Sequence, residues 1–434
     1  MQSSESSNLQ SNDPNRLSAG NSVWITVMVW TLRLFVGAVF IIAGWAKCVD
    51  LWGSVIKIQE YLSAWHIDIP EALVNVGAAI MAGTELVLGV LLLCGCYRRV
   101  AVWLMLAFMA VFLPLTFYIW QSNPVSDCGC FGDFMILSNR DTFIKNILLT
   151  ASLILLVFFN KRVSGVFVPL TQWIVGGVVS LYALIVISIG VYSQPLIDFR
   201  RFEPGAMIVA SENTANDTEY LFVYSKDGET REFDMDNLPD STWTFVDRKL
   251  INGTETVSDG FAAYDGDDEV SEESFSERRV LLVTIPATER ALPSATLIDD
   301  IAAHADACGI STYLILGGGE ATVNNYVSDM MPTYPVLYAE PSLLKELARG
   351  DVALTMIEDG VILWKRNALS LSRSFLLNYN DCSFDDLAPF GRPFMWMLTI
   401  LFSGGLVAFC LIDRGSLALF LLHRRRKMRK NKAT

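Results

Sequence analysis

From Val23 to about Cys48 the chain is apolar, with Arg33 set in its interior. The run is too long for the core of a signal peptide and has no small-residue cleavage site, so it predicts an uncleaved membrane helix. Five more runs follow, at about Ala72–Leu93, Val100–Trp120, Phe143–Phe159, Pro169–Tyr192 and Phe394–Ile412. Each approaches or exceeds the roughly 20 residues that cross a bilayer. Because lipid satisfies no backbone N–H or C=O, such runs must be helices. The chain is also 52% hydrophobic and 18% charged, where a soluble chain carries about a quarter charged residues. These features predict a six-span α-helical membrane bundle whose partner is the lipid bilayer.

Basic residues set its orientation. Arg98–Arg99 separate spans two and three, Lys161–Arg162 separate spans four and five, and Arg424, Arg425, Arg426, Lys427, Arg429 and Lys430 follow span six. With six alternating spans all three clusters fall on one side, the cytoplasm. Both termini are then cytoplasmic, in an inner (cell) membrane, and residues 193–392 are periplasmic. That segment holds 35 of the 46 acidic residues and 15 of the 33 basic ones. An acidic domain of this kind has none of the clustered positive charge that nucleic-acid binding needs. Residues 1–22, rich in Ser, Asn and Gln, read as a disordered tail. Residues 413–434 read as a basic cytoplasmic tail. Leu51–Leu62 alternates apolar and polar positions at helical spacing, as an interfacial helix or a helix capping the bundle would.

Within 193–392, Tyr220–Tyr224 and Thr230–Phe233 flank a hairpin signal at Asp227-Gly228. Val280–Ile285 is a continuous apolar run and a candidate central strand. Helix Ser294–Cys308, strand Thr312–Leu316, helix Glu320–Met330, strand Pro335–Tyr338, helix Pro341–Ala348 and a hairpin at Ala353–Ile357 and Val361–Lys365 follow. That order over 259–367 resembles a thioredoxin-like α/β domain. Members of that class carry Cys-x-x-Cys after the central strand and a cis-proline before the hairpin. Here those places read Pro286-Ala287-Thr288-Glu289-Arg290-Ala291 and Gly350-Asp351-Val352. The fold is expected without its dithiol chemistry, so its role is binding or docking. The sequons at Asn216 and Asn252 read as chance matches.

The sharpest chemical signal is Asp127-Cys128-Gly129-Cys130-Phe131-Gly132-Asp133, in the loop after span three. Glycine permits a tight turn, and thiols two residues apart close a small strained ring that reduces readily. By the topology above, this loop faces an oxidising compartment. A redox pair, a soft-metal site, a structural disulfide and an inert turn all fit that spacing.

Cys128-Gly129-Cys130-Phe131-Gly132, with Leu137-Ser138 and Phe143-x-x-Asn146, resembles the methylamine-utilisation MauE family. Arg33, Gly44-x-x-Lys47 and Glu85-x-x-x-Gly89 resemble the related DoxX family. The likeness covers about residues 23–160 and implies a DoxX/MauE-like four-helix core, with 161–192 as a fifth span and 393–412 as a sixth. The whole layout, including Ile197-Asp198-Phe199-Arg200, is similar to DoxX-family proteins of Bacteroidetes. MauE proteins are associated with disulfide formation during maturation of a periplasmic dehydrogenase. The resemblance therefore implies a thiol–disulfide relay through Cys128 and Cys130, with a periplasmic thiol protein as partner. The other function class is a non-enzymatic assembly factor whose outer domain docks a partner.

No cofactor site is spelled out, and His66, His304 and His423 are too scattered for zinc or haem. Cys94-Gly95-Cys96 reads as packing at the cytoplasmic end of span two. Cys308 and Cys382 read as isolated, and Cys48 as a candidate third thiol near the Cys128 loop. Arg33 and Glu85, each about 13 residues from the outer end of its span, both lie about 20 Å deep at 1.5 Å per residue. Charges at that depth rarely stand unpaired, which predicts an Arg33–Glu85 ion pair.

Overall fold

The structure, a computed structural model, describes residues 14–122, 128–135, 137–160, 163–192, 194–195, 197–208, 219–226, 229–233, 244–252, 261–270, 274–276, 278–378, 381–388 and 391–430. The chain divides into two compact units, Met1–Gly190 with Pro393–Thr434, and Val191–Arg392.

The first unit contains α1 (Pro14–Val49), α2 (Leu51–Ala64), α3 (Glu71–Cys94), α4 (Arg98–Ser122), α5 (Asn139–Phe159), α6 (Gln172–Tyr192) and a C-terminal helix, Arg392–Lys430. Among the described residues, six helices are long and apolar enough to cross a membrane, and the protein is a multi-pass membrane protein. Three boundaries differ from expectation. The first helix begins at Pro14, inside the stretch read as disordered; residues 1–13 lie outside the described residues. The fourth span begins at Asn139 because Ser138 caps it, its hydroxyl accepting from the Asp141 N–H. The C-terminal helix does not stop near Ile412. The Asp413 carboxylate accepts from Val168 N–H (2.8 Å) and the Thr171 hydroxyl (2.9 Å), and the helix continues through the basic cluster.

Helices α1 and α3 cross antiparallel on glycines. A Cβ at Gly44 would meet the Leu86 nitrogen, one at Gly89 the Ile41 nitrogen, and one at Gly37 the Gly89 oxygen. Small residues let membrane helices approach this closely, so that dispersion and nearby polar contacts hold them together. The crossing fixes a register in which Gly44 lies beside Leu86 and Gly37 beside Gly89 and Leu93. The C-terminal end of α3 is closed by Gly95, whose left-handed φ of 65° ends the helix. There the Cys94 carbonyl accepts from Val166 N–H at 2.8 Å. Helix α2 buries Leu51, Gly53, Ser54 and Val55, which makes it a capping helix rather than one lying free on the surface.

The second unit holds two sheets. Strands β1 (Glu219–Lys226), β2 (Glu229–Phe233) and β3 (Thr244–Asn252) form an antiparallel sheet in the order β2-β1-β3. Lys226 pairs with Glu229 across the expected hairpin, whose tip, Asp227-Gly228, lies outside the described residues. The larger sheet contains β4 (Tyr264–Asp265), β5 (Asp268–Glu269), β6 (Arg279–Ile285), β7 (Ser311–Gly317), β8 (Val336–Ala339), β9 (Ala353–Glu358) and β10 (Val361–Asn367), in the order β10-β9-β6-β7-β8-β4-β5. Strands β6, β7 and β8 are mutually parallel; β9 runs antiparallel to β6. This is the thioredoxin-like arrangement, with helices α7 (Ala291–Ala307), α8 (Glu320–Met330) and α9 (Pro341–Leu347) in its connections and a short α10 (Arg373–Leu376) after it.

Because side chains alternate along β6, Leu281, Val283 and Ile285 pack toward Ile298, Ile301 and Ala305 of α7. Val280 and Leu282 pack the other way, with Phe202, Phe261, Phe275, Leu344 and Leu347. The Ile197–Arg200 segment is tied in by charge. Asp198 holds Arg200 at 2.7 Å and Lys365 at 2.5 Å, all three buried. Burial opposes the Asp198 charge, and the two cations overcome it and hold the carboxyl below its ordinary range. Cys308 and Cys382, expected to stand alone, form a disulfide that links the end of α7 to the segment after α10.

Candidate thiol site

The sulfurs of Cys128 and Cys130 lie 3.0 Å apart as free thiols. One backbone angle and two contacts shape the turn between them. Gly129 takes φ 63°, a left-handed conformation that favours glycine. A Cβ there would also meet the stem of Lys57 on α2 at 3.0 Å. The Tyr61 hydroxyl, one turn further along α2, donates to the Cys128 carbonyl at 2.9 Å. The helix read as interfacial thus grips the thiol loop.

Below the loop, α4 and α5 are joined by the residues quoted from the family motif. Phe143 stacks on Trp120 at 5.3 Å. Buried Asn146 donates to the Thr116 hydroxyl at 3.1 Å. Lys145, the neighbour between them, places its ammonium 4.4 Å from the Phe131 ring centroid, a favourable cation–π geometry.

Cys130 lines a cavity in the four-helix core together with Lys47, Glu85, Lys145, Asn146, Phe108 and Phe112. Its volume is about 40 Å³, room for roughly three water molecules at 10–15 Å³ each. Across it, the Lys47 ammonium donates to both carboxylate oxygens of Glu85, at 2.9 and 2.8 Å. The two side chains are 4% and 9% exposed, so this is a buried ion pair of the kind that costs desolvation and is strongly unfavourable to break.

The Arg33–Glu85 pair expected from the sequence does not form. Arg33 lies at the far end of the bundle, where its Nε donates to Asn160 Oδ1 at 2.7 Å. Its other nitrogens donate to the carbonyls of Asn160, Val163 and Ser164 at 3.0–3.2 Å. These carbonyls lie at and just after the end of α5, the natural partner of a cation at a helix C-terminus, and Val163 also accepts from Arg98. The physical reason is a stagger. If Gly44 faces Leu86, Arg33 faces about residue 97, some 12 residues or about 18 Å of helix from Glu85. Lys47, one turn past Gly44, meets Glu85, one turn before Gly89. Cys48 is a buried free thiol and makes no hydrogen bond with the Cys128–Cys130 pair.

The two thiols are electrostatically unequal. The hydrogen bond from the Cys128 thiol, helped by the positive charges of Lys145 and Lys47, brings Cys130 down to about 6, against burial and Glu85. The same hydrogen bond and burial hold Cys128 well above the ordinary thiol range. At pH 7 a thiol of pKa near 6 is about 90% thiolate, and the thiolate is the nucleophile. Among the described residues no group of three or more His, Cys, Asp or Glu side chains is placed to hold a metal ion.

Fold and site together define a class, a MauE-like membrane bundle joined to a thioredoxin-like domain. Residues 25–159 match the family model for methylamine utilisation protein MauE, and residues 218–251 match a domain of unknown function (DUF8463). Among curated proteins, the chain is 26% identical over 136 residues to Protein TlpB of Flavobacterium psychrophilum. That alignment covers 31% of this chain and 37% of TlpB, so the chain spans little more than a third of that relative. No solved structure matches the chain.

Proposed function

We propose that the protein is a membrane-bound thiol–disulfide relay acting on exported proteins at the outer face of the cell membrane. The observation that carries this reading is the Cys130 sulfur, 3.0 Å from that of Cys128 and lining the cavity that holds the Lys47–Glu85 pair. In one direction, Cys130 Sγ attacks a partner's disulfide, forms a mixed disulfide and releases one partner thiolate. Cys128 then gives up its proton and attacks Cys130 Sγ, which releases the second partner thiolate. The partner is reduced, and Cys128 and Cys130 become a disulfide. The reverse sequence oxidises a partner dithiol, and relative reduction potentials set the direction.

The three basic clusters support a cytoplasmic location for both termini. The Cys308–Cys382 disulfide supports an oxidising location for 191–392. One observation favours the docking class as a second reading. Arg290 and Asp351, at the two places emptied of thioredoxin chemistry, pair with each other at 3.8 Å, leaving a charged surface where thiols would stand.

Mass-shifting maleimide applied to native membranes, after an acid quench and denaturation, separates the readings. A relay gives a mixed population at Cys128 and Cys130 that shifts with growth conditions, and Cys128→Ser with Cys130→Ser abolishes function. A pair locked in one state under every condition overturns the relay. Full function in the double serine variant would favour docking.

A further inference from the structure

The thioredoxin-like domain holds a cavity of about 450 Å³ that shares no residue with the thiol site. Asp306 on α7 lines it, with Thr312 and Tyr313 at the start of β7 and Thr333, Tyr334 and Pro335 ahead of β8. Its volume falls within the range of about 300–1,000 Å³ typical of small-ligand sites. Strands β6 and β7 are parallel, and Pro286–Ala291, where thioredoxin-like dithiols would stand, follows the C-terminal end of β6. The cavity lies at the other end of the sheet, where β7 and β8 begin.

Unequal strand pairing opens it. Strand β7 pairs with β6 from Ser311 onward but with β8 only from Leu314 onward. Main-chain groups along a strand point alternately to its two sides. Leu314 N–H donates to the Pro335 carbonyl at 3.0 Å. The N–H and C=O of Thr312, two residues earlier, therefore point to that same side, ahead of the start of β8. The Thr312 hydroxyl is buried and has no hydrogen-bond partner among the described residues, a state that native structures rarely leave unanswered. The field in the cavity is negative. Asp306 is the one charged residue among those described as lining it, and no described cation pairs with it. It stands in the last turn of α7, where the helix dipole adds to its negative potential.

We propose that this cavity binds the free α-amino end of an extended peptide. The ammonium pairs with Asp306, and the first peptide unit pairs with the N–H and C=O of Thr312 as a short added strand. The Thr312 hydroxyl supplies one more hydrogen bond. At pH 7 an α-amino group, with a pKa of about 7.7–8.0, is mostly charged. Charge therefore selects an amine, and the open strand edge selects an amide beside it.

The test is equilibrium dialysis at pH 7 of detergent-solubilised, full-length protein against three probes. Tri-alanine amide carries both the amine and the amide. N-acetyl-tri-alanine amide lacks the charge, and putrescine lacks the amide. Tri-alanine amide should bind one per chain, about tenfold or more tighter than either of the others. Asp306→Asn, nearly unchanged in shape, should weaken it by about tenfold or more while thermal unfolding stays as in wild type. Should that variant fold poorly, the comparison of the three probes on the wild-type chain still decides. No saturable binding of tri-alanine amide at about 1 mM, equal binding of the acetylated peptide or of putrescine, or undiminished binding to well-folded Asp306→Asn overturns the proposal. Binding is read without any thiol reaction, so failure of the relay at Cys128 and Cys130 leaves the result intact.

Discussion

Removing the Cys308–Cys382 disulfide tests both the stability of the thioredoxin-like domain and the side of the membrane on which it lies. The bond joins residues separated by 74 positions. In the chain-entropy treatment, a closed loop of about 75 residues lowers the entropy of the unfolded chain by about 15 cal/mol/K, or about 4.5 kcal/mol at 25 °C. Residues 191–392 form the domain. At about 2.1 cal/mol/K per residue, some 200 residues give a Tm change of about 10 °C. The assay is intrinsic tryptophan fluorescence during heating of detergent-solubilised, full-length protein. Wild type is compared with Cys308→Ser plus Cys382→Ser. Trp364, a β10 residue buried in the core between the sheet and α7, reports the transition. A fall of about 10 °C is expected, together with complete resistance of Cys308 and Cys382 to maleimide in cells lysed without reductant. A shift under 2 °C would refute the entropic reasoning. Ready labelling of both thiols in native cells would refute the oxidising location, and with it the proposed orientation.

Two further outcomes separate the electrostatic roles inside the bundle. The pH profile of Cys130 alkylation should have its midpoint near 6, with reactivity falling below it as the thiolate protonates; Lys47→Met should raise that midpoint and Glu85→Gln should lower it, each by about one unit or tenfold in thiolate ratio, whereas shifts of the same sign would mean the pair acts only by holding the helices. Arg33→Leu should cost about 3 kcal/mol by stripping partners from buried carbonyls and leave the Cys130 profile unmoved, and adding Glu85→Leu should not restore abundance; restoration would re-establish the Arg33–Glu85 pair.

What could be read from the sequence was whatever depends on local pattern. Six apolar runs give six membrane helices, because each run satisfies its own backbone wherever its neighbours lie. The apolar run Val280–Ile285 gives a central strand because burial on both faces leaves no polar alternation. Cys128-Gly129-Cys130 gives a thiol pair because a glycine turn of three residues needs no tertiary partner to bring the sulfurs together. What failed depended on how one element slides against another. Counting Arg33 and Glu85 to equal depth assumes that α1 and α3 end level. The structure offsets them by about three turns, since α1 ends at Val49, close to the level of Glu85, while α3 extends beyond that level to Glu71. The sequence does carry that offset, in its glycines. Two helices that cross on Gly44 and Gly89 must bring the neighbours of those glycines together, because only there do the backbones approach closely enough for short-range pairing. Gly44-x-x-Lys47 and Glu85-x-x-x-Gly89 are therefore one statement about register, in which Lys47 is the partner of Glu85. The same register explains why a costly buried ion pair lies under Cys130. The α1–α3 crossing carries Lys47 into the cavity that Cys130 also lines, where its charge bears on that sulfur.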